Sequence, residues 1–313
     1  MRPKLLLTDI SQLMGCTIHN VHMIIKEKNI KTLKLSNRVF IDDPEELKKI
    51  IKINIPNKII CMQTAKGGIG KTILSGSILT RLWQLGAKVL AIDLDQQANL
   101  TKMLLGNSDK NNKTLIDIFE EKATIKESLQ PVFKNFDILP SSIRNSILNQ
   151  HMISYGLNPV DSISDILSPI RDQYDIILFD CPPAIGHVIT SSVYASDLII
   201  SPIDPDEDAI DGMYFCWNEV KKINKKSKAN RSFKIILNKY DQRTIMSTRI
   251  LNTLLQIDDL KDFLFETIVG VSQEFTDENG KKAHPFNQIR QGKGANDIHS
   301  VVLELIDFKH KNN

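Results

Sequence analysis

One seven-residue run constrains this chain more than any other: Lys66-Gly67-Gly68-Ile69-Gly70-Lys71-Thr72, entered from the apolar stretch Ile59-Ile60-Cys61-Met62. An apolar strand, a glycine-rich turn and a helix opening near Thr72 aim several backbone N–H groups at one point. The helix N-terminus adds the positive end of its dipole. Such an arrangement cradles a triphosphate, with Lys71 reaching the β- and γ-phosphates and the Thr72 hydroxyl on Mg2+. The candidate nucleotide contacts are Lys66, Gly67, Gly68, Ile69, Gly70, Lys71, Thr72 and Ile73. Where an ordinary loop of this kind opens with glycine, this chain has Ala65, followed by a second lysine, Lys66. A lysine at the loop entrance points away from its own phosphates. The run therefore predicts an NTPase that works as a pair, with Lys66 used on a neighbouring subunit's nucleotide.

The rest of the chain fits one large α/β unit. Short β-branched runs at 58–64, 88–93, 136–139, 175–180, 198–203, 233–237 and 264–269 read as strands, several apolar on both faces like the interior of a parallel sheet. Helical spacing falls at 72–85, 99–104, 114–121, 143–152, 162–171, 189–195, 209–223, 244–255 and 295–308. This alternation predicts a doubly wound, mostly parallel sheet of the P-loop NTPase type over 55–313, with loops 64–72, 93–97 and 180–186 converging at the carboxyl ends of the strands.

Residues 1–54 read as a separate small domain. Thr8 is placed to cap a helix over 9–14, Gly15 to turn, and Thr17 to cap a second helix running to about Glu27; 31–35 and 38–41 flank Ser36-Asn37 as a hairpin. The result is a winged helix-turn-helix whose second helix exposes His19, Asn20, His22 and Lys26 toward base edges or phosphates. The other reading of the segment is a cap that only dimerises or packs on the NTPase. Residues 1–60 hold eleven Lys/Arg against six Asp/Glu, whereas the whole chain nets only +3. Cys16, Cys61, Cys181 and Cys216 show no metal or disulfide spacing, and no signal peptide or membrane span is evident. A cytoplasmic protein with free thiols is expected.

Two carboxylate segments complete the site. Val89–Asn99 contains Asp93 and Asp95 at the end of an apolar strand one step after the phosphate loop, so one carboxylate can hold Mg2+ and the other can orient the attacking water. Tyr174–Asp180 is a hydrophobic strand ending in Asp180, which would complete the metal shell, and Cys181–Gly186 then turns the chain sharply.

Taken in order, Lys66–Thr72, Asp93–Asn99, Asp180–Gly186 and Leu237-Asn238-Lys239-Tyr240-Asp241 resemble the ParA family of deviant-Walker partition ATPases across about residues 57–310. The N-terminal segment is similar to that of longer, plasmid-type members, in a compact form resembling MerR-type regulators. The resemblance implies ATP and Mg2+ as cofactors and an ATP-sandwich homodimer in which Lys66 crosses to the partner's phosphates. It assigns Asp95 to water activation, Asp93, Asp180 and Thr72 to the metal, and Asn238 to the adenine. It also implies slow hydrolysis stimulated by a ParB-like partner, and non-specific DNA binding that would associate the ATP-bound form with the nucleoid. Candidate phosphate contacts are the basic surface loop 221–231, Arg243 and Arg249, and Arg290 with Lys293. The N-terminal segment would read an operator for autorepression. An ATP-sensing repressor, or an ATPase that positions a protein cargo, would share these motifs. The chain departs from the family pattern at Gln96 and Ala98, where proline and glycine are common, and at Val269-Gly270-Val271-Ser272.

Overall fold

The computed structural model describes residues 2–308 apart from 107–110, 185, 207, 277–279, 281–282 and 289–290. The strands are β1 (Leu5–Leu6), β2 (Leu33–Leu35), β3 (Arg38–Ile41), β4 (Lys58–Met62), β5 (Val89–Asp93), β6 (Gln130–Phe133), β7 (Phe136–Leu139), β8 (Ile176–Asp180), β9 (Leu198–Ile203) and β10 (Ser232–Leu237). The helices are α1 (Leu7–Met14), α2 (Ile18–Glu27), α3 (Pro44–Ile50), α4 (Lys71–Gln84), α5 (Asn99–Leu105), α6 (Leu115–Phe119), α7 (Ile125–Ser128), α8 (Leu148–Ser154), α9 (Ser162–Leu167), α10 (His187–Ala195), α11 (Ala209–Ser227), α12 (Ile245–Gln256), α13 (Asp258–Lys261) and α14 (Lys293–Leu305). None that is described is long and apolar enough to cross a membrane.

Seven strands form the main sheet in the order β10-β9-β4-β8-β5-β7-β6, parallel except for the β6–β7 hairpin. The side-chain period of two splits each strand between the two faces. Ile60, Met62, Ala91, Leu178 and Ile200 pack with α4 and α14; Ile59, Cys61, Ile92, Phe179 and Ile199 pack with residues of α10 and α11. Burying each large apolar side chain contributes about 1.5–3 kcal/mol, which is why a run apolar on both faces settles inside the sheet. After β4 the chain first fills positions on the β5 side and later those on the β9 side. The crevice at the carboxyl ends of β4 and β8 is thus the place where a ligand fits.

The first fifty residues form a three-stranded sheet, β1-β3-β2, with α1, α2 and α3 around it. Gly15 adopts the left-handed conformation (φ 61°) between α1 and α2, and the Thr17 hydroxyl accepts the Asn20 N–H as the α2 cap. Ser36 and Asn37, both at positive φ, close the β2–β3 hairpin. Thr8, expected as a cap, lies inside α1, whose first turn has no side-chain cap. The apolar residues of this unit join the α4/α14 side of the main core, Leu5, Ile10 and Leu13 belonging to one cluster with Leu79, Leu82 and Ile298. The contact is also polar. The wholly buried Arg81 at the end of α4 donates to Asp9 Oδ2 at 2.9 Å and lies over the Phe286 ring. Lys4 Nζ donates to the Asn287 carbonyl and Gln291 to the Lys4 carbonyl.

Two expected elements are corrected. Residues 264–269 form no strand: Leu264 makes a single bridge to Ile235, with a second, Tyr240–Gly270, just beyond the range, because the N–H groups of Glu266 and Thr267 are taken by the Glu304 carboxylate instead of a neighbouring strand. The run 221–231 is largely not a loop. α11 continues to Ser227, Lys221 covers the Trp217 ring, and Arg231 turns inward to the carbonyls of Val193 and Tyr194.

Candidate nucleotide site

The glycine-rich turn has the conformation its sequence demands. Gly68 (φ 78°) and Gly70 (φ 93°) lie in the region that penalises a side chain, and a Cβ on Gly70 would collide with Asn238 Nδ2. α4 begins one residue earlier than expected, at Lys71, so the loop's N–H groups and the helix dipole share one focus. Lys71 is buried and its Nζ donates to the Lys66 carbonyl at 3.2 Å. Burial lowers its pKa, opposed by the charge of Asp180 nearby.

In the parallel register Asp93 pairs directly with Asp180, which sets two buried carboxylates side by side at the strand ends. Their surroundings differ. Asp93 Oδ1 accepts the Asp95 N–H at 3.1 Å, and Oδ2 accepts the N–H and hydroxyl of Thr101 at 2.9 and 2.7 Å. Asp180 Oδ1 accepts the Ser75 hydroxyl at 2.9 Å, whereas its Oδ2 is buried with no partner. Burial pushes both carboxyls upward, Asp93 further by the charge of Asp180, and Thr72 and Ser75 pull Asp180 back. Paired buried carboxylates with one orphaned oxygen beside the Thr72 hydroxyl fit a hard divalent cation, and the glycine turn with Lys71 fits a triphosphate.

Asp95 is half-buried at the start of the following turn and its Oδ1 accepts the Gln97 N–H. Ala98, in place of the family's frequent glycine, sits at φ 53°. Lys66 does not turn into its own cradle. Its ammonium lies 2.9 Å from Asp206 and 3.4 Å from Asp204, in the acidic loop after β9. Asn238, buried, donates through Nδ2 to the Ile69 carbonyl at 2.7 Å, and Lys239 Nζ donates to the Gly68 carbonyl at 2.6 Å. Ile73 is half-buried in the first turn of α4.

The other candidates lie elsewhere. His19, Asn20, His22 and Lys26 are exposed on α2. His22, Lys34 and Arg38 share an open cavity of about 830 Å3 with Asn296 and Ser300 of α14. Arg249 is exposed on α12, and Arg290 is outside the described residues. Arg243 is exposed but tied to Asp241 through its Nε and Nη2. Sequence reasoning missed Ser75, Thr101 and the pair Asp204 and Asp206. The signal for the last was an acidic run directly after a strand whose carboxyl end faces the same crevice.

The AAA domain family matches residues 57–235. The chain is similar to the cell division protein PomZ of Myxococcus xanthus, 27% identical over 244 residues, which span 77% of this chain and 75% of PomZ. It is similar to the sporulation initiation inhibitor protein Soj of Bacillus subtilis, 24% identical over 214 residues, 68% and 83% of the two chains. A putative plasmid partition protein of Borrelia burgdorferi, solved bound to AMPPNP, shares the fold with a TM-score of 0.66 at 18% identity, covering 81% of this chain and 99% of that one. With this fold and this ordered set of motifs, the chain belongs to the ParA family of P-loop ATPases.

Proposed function

We propose that this chain is a DNA-partition ATPase that closes into a homodimer around two ATP molecules. The observation that carries this reading is the placement of Lys66, a lysine at the mouth of the cradle with its ammonium held outside its own phosphate site by Asp204 and Asp206. In the reading, the N–H groups of 67–72 bind the phosphates and Lys71 leaves the Lys66 carbonyl for the β- and γ-oxygens. Thr72 and Asp180 would hold Mg2+, which would supply positive charge against the charge that builds in the reaction. Asp93, with both oxygens taken by its own turn, orients Asp95 and the start of α5 instead of giving up an oxygen. Asp95 then holds the attacking water and draws on its proton. Lys66 of the second copy supplies the remaining positive charge. A lysine offers a point charge without an arginine's fork, which suits slow turnover raised by a ParB-like partner.

The ATP-bound pair would bind DNA without sequence preference through late basic elements, Arg249 and Lys293 among them. The N-terminal unit, with α2 and the hairpin as reading elements, would recognise an operator. Lys71→Ala is expected to abolish ATP binding. Asp95→Ala should keep ATP-dependent dimerisation and DNA retention while turnover stops. Normal hydrolysis by Asp95→Ala would overturn the assignment of Asp95, and a chain that stays monomeric in saturating ATP would overturn the paired mechanism.

A further inference from the structure

The N-terminal unit and the ATPase body do not close on each other everywhere. The open cavity of about 830 Å3 lies between them, with residues of α1, α2 and the β2–β3 hairpin on one side and of α14 on the other. That volume falls in the range of small-molecule sites, which favour the junction of two units.

The walls of the cavity select for charge. Lys34 and Arg38 stand on the hairpin and His22 on α2, against one carboxylate, Asp9. Asp9 is already answered from behind, its Oδ2 accepting from Arg81 Nη1 at 2.9 Å. The balance is positive and fits an anion, and lysine and arginine together suit a phosphate. The α14 wall is different. Asn296 and Ser300, with Asn37 of the hairpin turn, offer neutral groups that both donate and accept. The side chains of His22, Lys34, Asn37, Asn296 and Ser300 make no hydrogen bond or ion pair among the described residues. Ile18 and Val39 add an apolar strip.

Cations at one end, neutral hydrogen-bonding groups and apolar surface are what a nucleotide requires. Its phosphate needs the charge, its sugar hydroxyls and base edges need partners, and its base face needs neither. A duplex backbone has no use for the apolar strip.

We propose that the cavity between the N-terminal unit and α14 is a second nucleotide site, which takes a free mononucleotide with its phosphate at the Lys34 and Arg38 end and its sugar and base toward Asn296 and Ser300. A ligand there touches both units at once, so it ties the hairpin to the ATPase body and stabilises the folded chain.

The test is calorimetric titration of AMP, GMP, CMP and UMP into the full chain carrying Lys71→Ala, which takes the glycine-rich cradle out of competition. At least one of the four should bind at one molecule per chain and raise the thermal midpoint. Lys34→Glu, which reverses a charge, and Asn296→Trp, which fills the cavity, should each weaken that binding about tenfold or more; Lys34→Arg should keep it. Lys34 and Asn296 are both exposed, so neither replacement disturbs the core. Binding of none of the four, or binding that ignores Lys34→Glu and Asn296→Trp alike, overturns the inference. Inorganic phosphate held as tightly as the best nucleotide overturns it too, since only an anion seat would remain. So does a mixed-sequence DNA duplex retained through Lys34 and Asn296 when the mononucleotides are not. The ATPase reading stands or falls separately, on ATP binding by the chain with Lys71 intact.

Discussion

The ammonium of Lys66 is held 2.9 Å from Asp206 within its own chain. If Lys66 serves a second subunit, that contact must break before the pair closes. The groups are partly exposed, so the contact is worth about 0.2–1 kcal/mol. Asp204→Asn with Asp206→Asn is expected to lower the ATP concentration needed for dimerisation about two- to fivefold. Light scattering across an ATP titration checks this, and an unshifted midpoint removes the latch from the scheme.

Arg81 and Asp9 form a buried ion pair between α4 and α1. Asp9→Ala leaves an uncompensated guanidinium in the interior and should cost about 3–5 kcal/mol. Asp9→Leu combined with Arg81→Met should recover most of that loss. Urea unfolding of the single and double variants measures both.

His299 is buried beside this pair with neither ring nitrogen bonded, and His284 is buried near Lys4. Burial, then the charge of Arg81, holds His299 down to about 3. Burial, then Lys4, holds His284 down to about 4. A folded-state pKa below the unfolded value of about 6.5 means the unfolded chain binds more protons in between. The stability each histidine contributes is therefore intact above pH 6.5 and lost as the pH falls toward its folded value, at up to about 1.4 kcal/mol per pH unit. His299→Leu should flatten the decline between pH 6.5 and 4 relative to wild type and be neutral or stabilising at pH 7. Urea midpoints over that range decide it; parallel curves would assign the acid loss elsewhere.

Ala98 holds φ 53° in the turn between Asp95 and α5. A left-handed conformation costs a residue with a Cβ roughly 1–2 kcal/mol, partly offset because glycine loses more backbone freedom on folding. Ala98→Gly is expected to raise stability by about 0.5–1 kcal/mol, read as a higher thermal midpoint. A fall would show that the turn does not strain alanine.

The site strands β5 and β8 were legible because they are apolar on both faces up to the carboxylate that ends each, and the ends at Asp93 and Asp180 fall where the carboxylates were placed; 136–139 and 198–203 coincide with β7 and β9. The hairpin at Ser36-Asn37 was legible from its turn chemistry. β1 was not, since two residues carry no period, and neither was α3, a seven-residue helix begun by Asp43 and Pro44. β6 hid because Pro131 argues against a strand, yet it pairs at the sheet edge, where a missing N–H costs little. Within the site, the order of motifs announced which carboxylates meet. It did not show that Asp93 is saturated by Asp95 and Thr101 while Asp180 keeps an open oxygen, because that difference arises from the turn and the residues packed against each strand end.

α4 starts at the phosphate turn and ends on the cation clamped by α1. Shortening the chain to begin near residue 55 would leave Arg81 in an apolar wall with no anion to answer it. The N-terminal fifty residues are thus packed into the ATPase's own architecture through the same helix that opens at the phosphate turn.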